Sequence, residues 1–285
     1  MGAYLRPTGL DEALDALATG GPSGQPWVIV AGATDHYPAR VGRAPLEDVL
    51  DVTAIAGFRG VASTDAGWEI GAQTTWTDLV EAPLPPLFDG LREAARAVGG
   101  LQIQSRATIV GNVCNASPAA DGVPSLLALD ARVTLASARG SRSVPIGAFI
   151  TGNRRTVRAP DELVTGIEVP AALPGTRVRS AFQKLGSRAY LVISIAMVGA
   201  VVETGPDGRI ARARIAVGAC SEVAQRLPVL EAELAGRPAA PETAEIVHSD
   251  HLAALSPIDD VRGTAAYRRD AAVVLVRRAL ERVLG

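Results

Sequence analysis

The sequence predicts an α+β protein, with mixed α/β structure up to about residue 172 and a smaller α+β unit after it. Three observations carry this. Before that point, short apolar runs ended by glycine alternate with segments whose leucines recur every three or four residues. At AALPGT, residues 171–176, proline and glycine interrupt the pattern and mark a seam. Beyond the seam come a long apolar run, a Gly205-Pro206-Asp207-Gly208 turn, an alternating strand and a closing arginine-rich helix. At 285 residues the chain is long enough to bury one large core or two.

The elements follow in order. TGLDEALDALA, residues 8–18, puts Leu10, Leu14 and Leu17 on one helical face, with Thr8 as the expected cap. PWVIVAG, residues 26–32, is an apolar run stopped by glycine and reads as a buried strand. WEIGAQTTWTDLVEA, residues 68–82, reads as a strand and then a helix that Thr75 or Thr77 starts. PLFDGLREAARAVGG, residues 86–100, is a helix closed by Gly99-Gly100. VPSLLALDARVTLAS, residues 123–137, is a short helix leading into a strand, and Gly140 turns a hairpin before RSVPIGAFI. DELVTGIEVP, residues 161–170, is a further strand. The LVISIAMVGAVVET run fits helix or strand. The terminal YRRDAAVVLVRRALERVL is an amphipathic helix with Val273, Val276, Leu280 and Leu284 toward the core.

Composition excludes several classes of function. With 28 basic against 30 acidic residues and no basic block, neither nucleic acid nor an anionic membrane is expected as the main partner. No apolar run approaches the ~20 residues of a membrane span. The first residues carry acids and Pro7 instead of an apolar block, so no signal peptide is expected and the cytoplasm is the expected compartment. Two cysteines, Cys114 and Cys220, supply neither a disulfide framework nor an iron–sulfur cluster. G-x-G-x-x-G, the P-loop and G-x-S-x-G are all absent. His248 and His251, with Glu245 and Asp250, form a small cluster that reads as a polar surface turn or as a metal site. His36 beside Asp35 reads as a loop hydrogen bonder or as a general base.

Two small-residue segments remain, each following an apolar run: IVAGATDHY, residues 29–37, and TIVGNVCNASPAAD, residues 108–121. As loops they could aim several backbone N–H groups at a buried anion, a pyrophosphate above all, with no bulky side chain in the way. They could equally be tight turns with glycine at positive φ.

A resemblance bears on that choice. VAGATD at residues 30–35 resembles the A-G-G-T-D loop of the FAD-binding subunit of molybdenum hydroxylases. ATIVGNVCNASPAAD at residues 107–121 resembles that family's A-[ST]-[IL]-G-G-N-I…A-S-P-x-x-D segment. DELVTGIEVP, the FQKLGSRAYLVIS segment with Lys184 and Arg188, and the arginine-rich terminal helix follow in the family's order over residues 4–284. The family includes the FAD domain of xanthine dehydrogenase and the medium subunit of carbon monoxide dehydrogenases. The resemblance implies a PCMH-type FAD-binding domain over residues 1–174, built of two α/β subdomains (about 1–55 and 56–174). It implies a C-terminal α+β domain over residues 175–285, like that of carbon monoxide dehydrogenase flavoproteins.

The resemblance also implies the site. Ile29, Val30, Ala31, Gly32, Ala33, Thr34, Asp35 and His36 would wrap the FAD diphosphate through backbone N–H groups, Thr34 adding its hydroxyl. Thr108 and Asn112 would contact the cofactor, and Asp121 would accept from its hydroxyls. Leu163 or Val164 would support it by main chain, and Lys184 would place a positive charge near the flavin. Val98, Gly111, Asn115 and Ser117 complete the set, with Arg188 and Tyr190 in a segment that runs past the flavin in relatives. Three positions depart from the family pattern: Val110 for the first glycine of the second segment, Ala33 for a glycine of the first, and His36 for an apolar residue. Thr34 stands where related flavoproteins carry a histidine that binds FAD covalently, so FAD is expected to be non-covalent.

The implied role is electron relay, with no catalytic residue assigned. Electrons would come from [2Fe-2S] clusters on a small subunit and leave for NAD+ or another acceptor. The molybdenum cofactor would sit on a large subunit, in a dimer of heterotrimers. A stand-alone flavin reductase or oxidase and a flavin-free scaffold subunit are the alternatives.

Overall fold

The computed structural model describes residues 2–42, 44 and 46–285. The first layer contains β1 (Tyr4–Leu5), α1 (Leu10–Thr19), β2 (Val28–Val30) and β3 (Val49–Asp51), its strands parallel in the order β1-β3-β2. Ala13, Leu14 and Leu17 of α1 bury against Trp27 and Leu50. The helix is capped at Gly9 without a side-chain bond, and not at Thr8, whose N–H instead donates to Glu12.

The second layer begins with β4 (Val61–Thr64) and β5 (Gly67–Gly71), followed by α2 (Trp76–Glu81) and α3 (Asp89–Ala97). The short helices α4 (Leu101–Gln104), α5 (Ile109–Asn115) and α6 (Gly122–Ala128) come next. The hairpin β6 (Arg132–Ser137) and β7 (Gly140–Pro145), then α7 (Ile146–Phe149), β8 (Ile150–Gly152), β9 (Arg155–Thr156) and β10 (Leu163–Pro170) complete it. Its five-stranded sheet is antiparallel, in the order β4-β5-β10-β6-β7. Trp76, Phe88, Ile109, Leu126 and Ile167 are buried together between this sheet and its helices. Thr75 is the residue that starts α2: its hydroxyl accepts from Asp78 N at 3.1 Å, and its own N–H donates to the Asp78 carboxylate at 2.9 Å.

The third layer is β11 (Arg177–Leu185), β12 (Ala196–Thr204), β13 (Ile210–Gly218) and β14 (Gln225–Arg226), antiparallel and in chain order, with α8 (Pro228–Leu234) and α9 (Ala265–Leu284). All nine residues of β12 are buried. Both α9 and α6 pack on it, and a Cβ on Gly199 would fall 2.6 Å from Ser125 N. A strand covered on both faces has no reason to alternate, which is why its sequence fits helix as well as strand. Val276, Leu280 and Leu284 of α9 are buried as the sequence indicates, while Val273 is half-buried.

One segment differs in kind from its sequence reading. Residues 109–115 are helical, so TIVGNVC is not a loop. Thr108 caps this helix by accepting from Gly111 N at 3.0 Å. Val110 therefore has a helical backbone and needs no positive φ, which removes the strain its side chain raises in a glycine-like turn.

Candidate FAD site

β2 delivers the chain to residues 31–37 beside the start of α5. The contact is made by backbone: a Cβ on Gly32 would lie 1.9 Å from the Arg106 carbonyl oxygen and 2.9 Å from the Ala107 Cα. Glycine at this position is required for space. Its neighbour Ala33 has a φ of 53°, the left-handed region, where a glycine costs less. Among the described residues, the backbone N–H groups of Gly32, Ala33, Thr34, Asp35 and His36 donate no hydrogen bond to the protein.

Beside this row of open donors lies a cleft of about 700 Å³. All eight residues from Ile29 to His36 line it, together with Val98, Thr108, Gly111, Asn112, Asn115, Leu163 and Val164. Those fifteen come from β2 and the loop after it, the end of α3, both ends of α5 and the start of β10, joined only by folding. Asn112 Oδ1 is buried in this wall without a hydrogen-bond partner, and so is Trp76 Nε1. Buried polar atoms are ordinarily paired, so two orphans in one wall mark where a ligand supplies the missing bonds.

Three arginines that the sequence reading did not select also line the cleft: Arg40, Arg154 and Arg158. Arg154 donates to Asp35 Oδ2 at 2.6 Å and to the Asn115 side-chain oxygen, tying the first loop to the end of α5. Its backbone φ is 59°, and its N–H is fixed on Ala116 O at 2.9 Å. Arg40 pairs with Glu47 at 2.7 Å and donates to His36 O at 3.1 Å. The available signal for Arg154 was the TGNRRT run at residues 151–156, a turn followed by two arginines. Trp27 and Ile103, likewise unselected, add apolar wall.

Ser117, Asp121 and Lys184 do not line this cleft. Asp121 is 8% exposed and both of its oxygens are engaged: Oδ2 by Lys184 Nζ at 2.6 Å, Oδ1 by the Ser194 hydroxyl at 2.6 Å. Lys184 also donates to Ala97 O at 3.1 Å. Burial pushes the Asp121 carboxyl above its ordinary value, against the opposing pull of Lys184 and Ser194. The trio joins the chain before α6 to β11 and to Ser194, two residues before β12. Ser117 sits in the turn between, its hydroxyl accepting from Ala119 N at 3.3 Å. In the 186–194 segment, Arg188 donates to Leu191 O at 3.0 Å and Tyr190 is about half exposed, its hydroxyl beside Gly100.

His36 is held below its usual pKa, first by burial and then by Arg40, which favours a neutral ring. His248 and His251 stack with ring centroids 3.9 Å apart over a single helical turn, and His251 Nδ1 accepts from His248 N. Among the described residues no three metal-ligating side chains come together. The same residues include no helix long and apolar enough to cross a membrane.

The cleft suits a dinucleotide: its volume is within the ~300–1,000 Å³ of small-molecule sites, its floor offers consecutive open N–H donors, and its rim is cationic. Residues 1–172 match the family "FAD binding domain in molybdopterin dehydrogenase". The chain belongs to this family. Residues 180–283 match the CO dehydrogenase flavoprotein C-terminal domain. The chain is 30% identical to the glyceraldehyde dehydrogenase medium chain of Sulfolobus acidocaldarius, covering 99% of this chain and 98% of that one. It is 28% identical to the nicotine 6-hydroxylase medium subunit of Paenarthrobacter nicotinovorans, covering 97% and 95%. Reconstituted CO dehydrogenase from Oligotropha carboxidovorans superimposes with a TM-score of 0.89 at 25% identity, over 100% of this chain and 98% of that one. This molybdopterin dehydrogenase flavoprotein is thus an FAD-binding, medium-type component of an oxidoreductase of the molybdenum hydroxylase class.

Proposed function

We propose that this chain is the electron-relay subunit of a molybdenum hydroxylase complex. It receives electrons from [2Fe-2S] clusters on a small subunit and hands them to NAD+ or another acceptor. The substrate is oxidised at a molybdenum cofactor on a large subunit, within a cytoplasmic dimer of heterotrimers. The observation that carries the FAD part is the row of open N–H groups from Gly32 to His36 beside the unpartnered Asn112 oxygen. The medium-chain relatives support the partners.

In this reading the chain divides near residue 174 into the FAD-binding domain and the C-terminal domain. The residue 29–36 loop, Thr108, Gly111 and Asn112 hold the diphosphate and its neighbouring atoms; Arg154 keeps the two walls in register; Val98, Leu163 and Val164 exclude water. Asp121 forms a buried charge pair with Lys184, and Asn115 and Ser117 set the turn that leads from α5 to Asp121. FAD, when bound, supplies both one- and two-electron chemistry, which suits a junction between one-electron clusters and a two-electron acceptor.

The test has two stages. The purified chain is offered FAD and its retained flavin absorbance is measured; a preparation that stays colourless refutes the cofactor assignment. The loaded chain is then combined with its large and small subunits, and reduction of NAD+ is followed. Turnover by the loaded chain alone, unchanged when partners are added, makes it a stand-alone reductase and refutes the relay.

A further inference from the structure

A second cleft, of about 770 Å³, lies away from the FAD cleft, between α3, the outer edge of β11 and the end of α9. Arg92, Arg96, Arg177, Arg179 and Arg282 line it, with Asp89 and Glu93 as the carboxylates: five against two, an excess of three positive charges. The carboxylates are already engaged. Asp89 pairs with Arg92 at 3.3 Å, and Glu93 holds Arg282 and accepts from Phe182 N at 2.8 Å. Among the described residues, the side chains of Arg96, Arg177 and Arg179 make no hydrogen bond or ion pair, and Arg92 Nε is buried without a partner.

One feature distinguishes this from an ordinary solvated charged surface: the arginines come from three separate elements and surround a concavity of ligand size, where an anion would relieve their mutual repulsion. Arginine is the ordinary cation of this chain, whose single lysine, Lys184, lies elsewhere, and its planar fork matches phosphate oxygens in pairs. A single monoanion leaves most of the excess charge uncompensated, and inorganic phosphate leaves most of the volume empty.

We propose that this cleft binds a polyphosphate-bearing small molecule, a nucleoside diphosphate being the simplest that supplies both the charge and the bulk. The site shares no lining residue with the FAD cleft, so it stands or falls separately from the cofactor assignment.

The experiment is isothermal titration of the full-length, FAD-saturated chain with inorganic pyrophosphate, with ADP and, as reference, with sulfate. The expected result is one site that takes ADP and pyrophosphate competitively and more tightly than sulfate. R177A/R179A should weaken it about tenfold or more, the scale of lost charge-assisted bonds, with flavin content and melting temperature unchanged. R177K/R179K should recover part of the affinity, since it keeps the charge and loses the fork. Binding equal to that of sulfate, binding unaffected by R177A/R179A, or binding seen only when FAD is absent overturns the proposal. So does a chain that binds neither anion while R177A/R179A fails to assemble with its partner subunits, because the cleft is then a protein-docking surface.

Discussion

Replacing Gly32 by alanine probes the junction on which the FAD cleft depends. The new Cβ would stand 1.9 Å from the Arg106 carbonyl oxygen, about 1.5 Å inside the 3.4 Å at which ordinary contact begins. The opposing atoms are backbone (Arg106 O and C, Ala107 Cα), so no side chain can swing aside. The residue 31–37 loop must part from the segment that leads into Thr108, and the N–H groups on the loop move with it. Forced overpacking of this kind typically costs ~1–3 kcal/mol. If that cost falls on the FAD-binding geometry, affinity drops about 5- to 150-fold, at 1.4 kcal/mol per factor of ten. Trp27 and Trp76 both line the cleft and report the titration by fluorescence quenching, while a melting curve measures any cost to the unloaded fold. Gly32→Ala protein that takes FAD with unchanged affinity and melts at the wild-type temperature refutes the close approach, and with it the role given to this glycine.

Four further outcomes follow. Ala33→Gly should be neutral or stabilising by up to ~1 kcal/mol in thermal unfolding, because the left-handed φ of 53° strains alanine and not glycine. Asn112→Ala should weaken FAD binding by ~1–3 kcal/mol in a titration yet leave the melting temperature of the unloaded chain nearly unchanged, since its oxygen has no protein partner to lose. Asp121→Ala should destabilise the fold by ~3 kcal/mol in denaturant unfolding, because it strands the largely buried Lys184 ammonium; adding Lys184→Met should recover much of that loss. Asp260 is held down to about 2 by the Arg262 N–H and by the guanidinium groups of Arg268 and Arg262. A carboxyl depressed in the folded state contributes stability above its unfolded pKa of ~3.9 and loses it as pH falls toward 2, so acid unfolding of Asp260→Asn should be flatter than wild type between pH ~4 and ~2.

The sequence by itself determined most of the elements, because their signals are local. The Gly140 turn and the spacing of Val276, Leu280 and Leu284 specify a hairpin and a buried face without reference to distant residues, whereas the cap of α2 stayed open between Thr75 and Thr77 and that of α1 fell at Gly9 instead of Thr8. The first loop was assigned to FAD by its resemblance to a family motif, because its small side chains alone suit a tight turn as well as an anion site. Tertiary structure decided what depends on two distant segments meeting. β12 is a strand because α6 and α9 cover both its faces, a fact no periodicity within it records. The second segment is a helix capped at Thr108, so Val110 is unstrained where sequence comparison raised a difficulty. Asp121 turned to Lys184 and Ser194, 63 and 73 residues away, while Arg154 came to the cleft across 119 residues to meet Asp35. Ion pairs of this length are chosen by which elements pack together, and a charged residue on its own carries no mark of the partner that folding will bring.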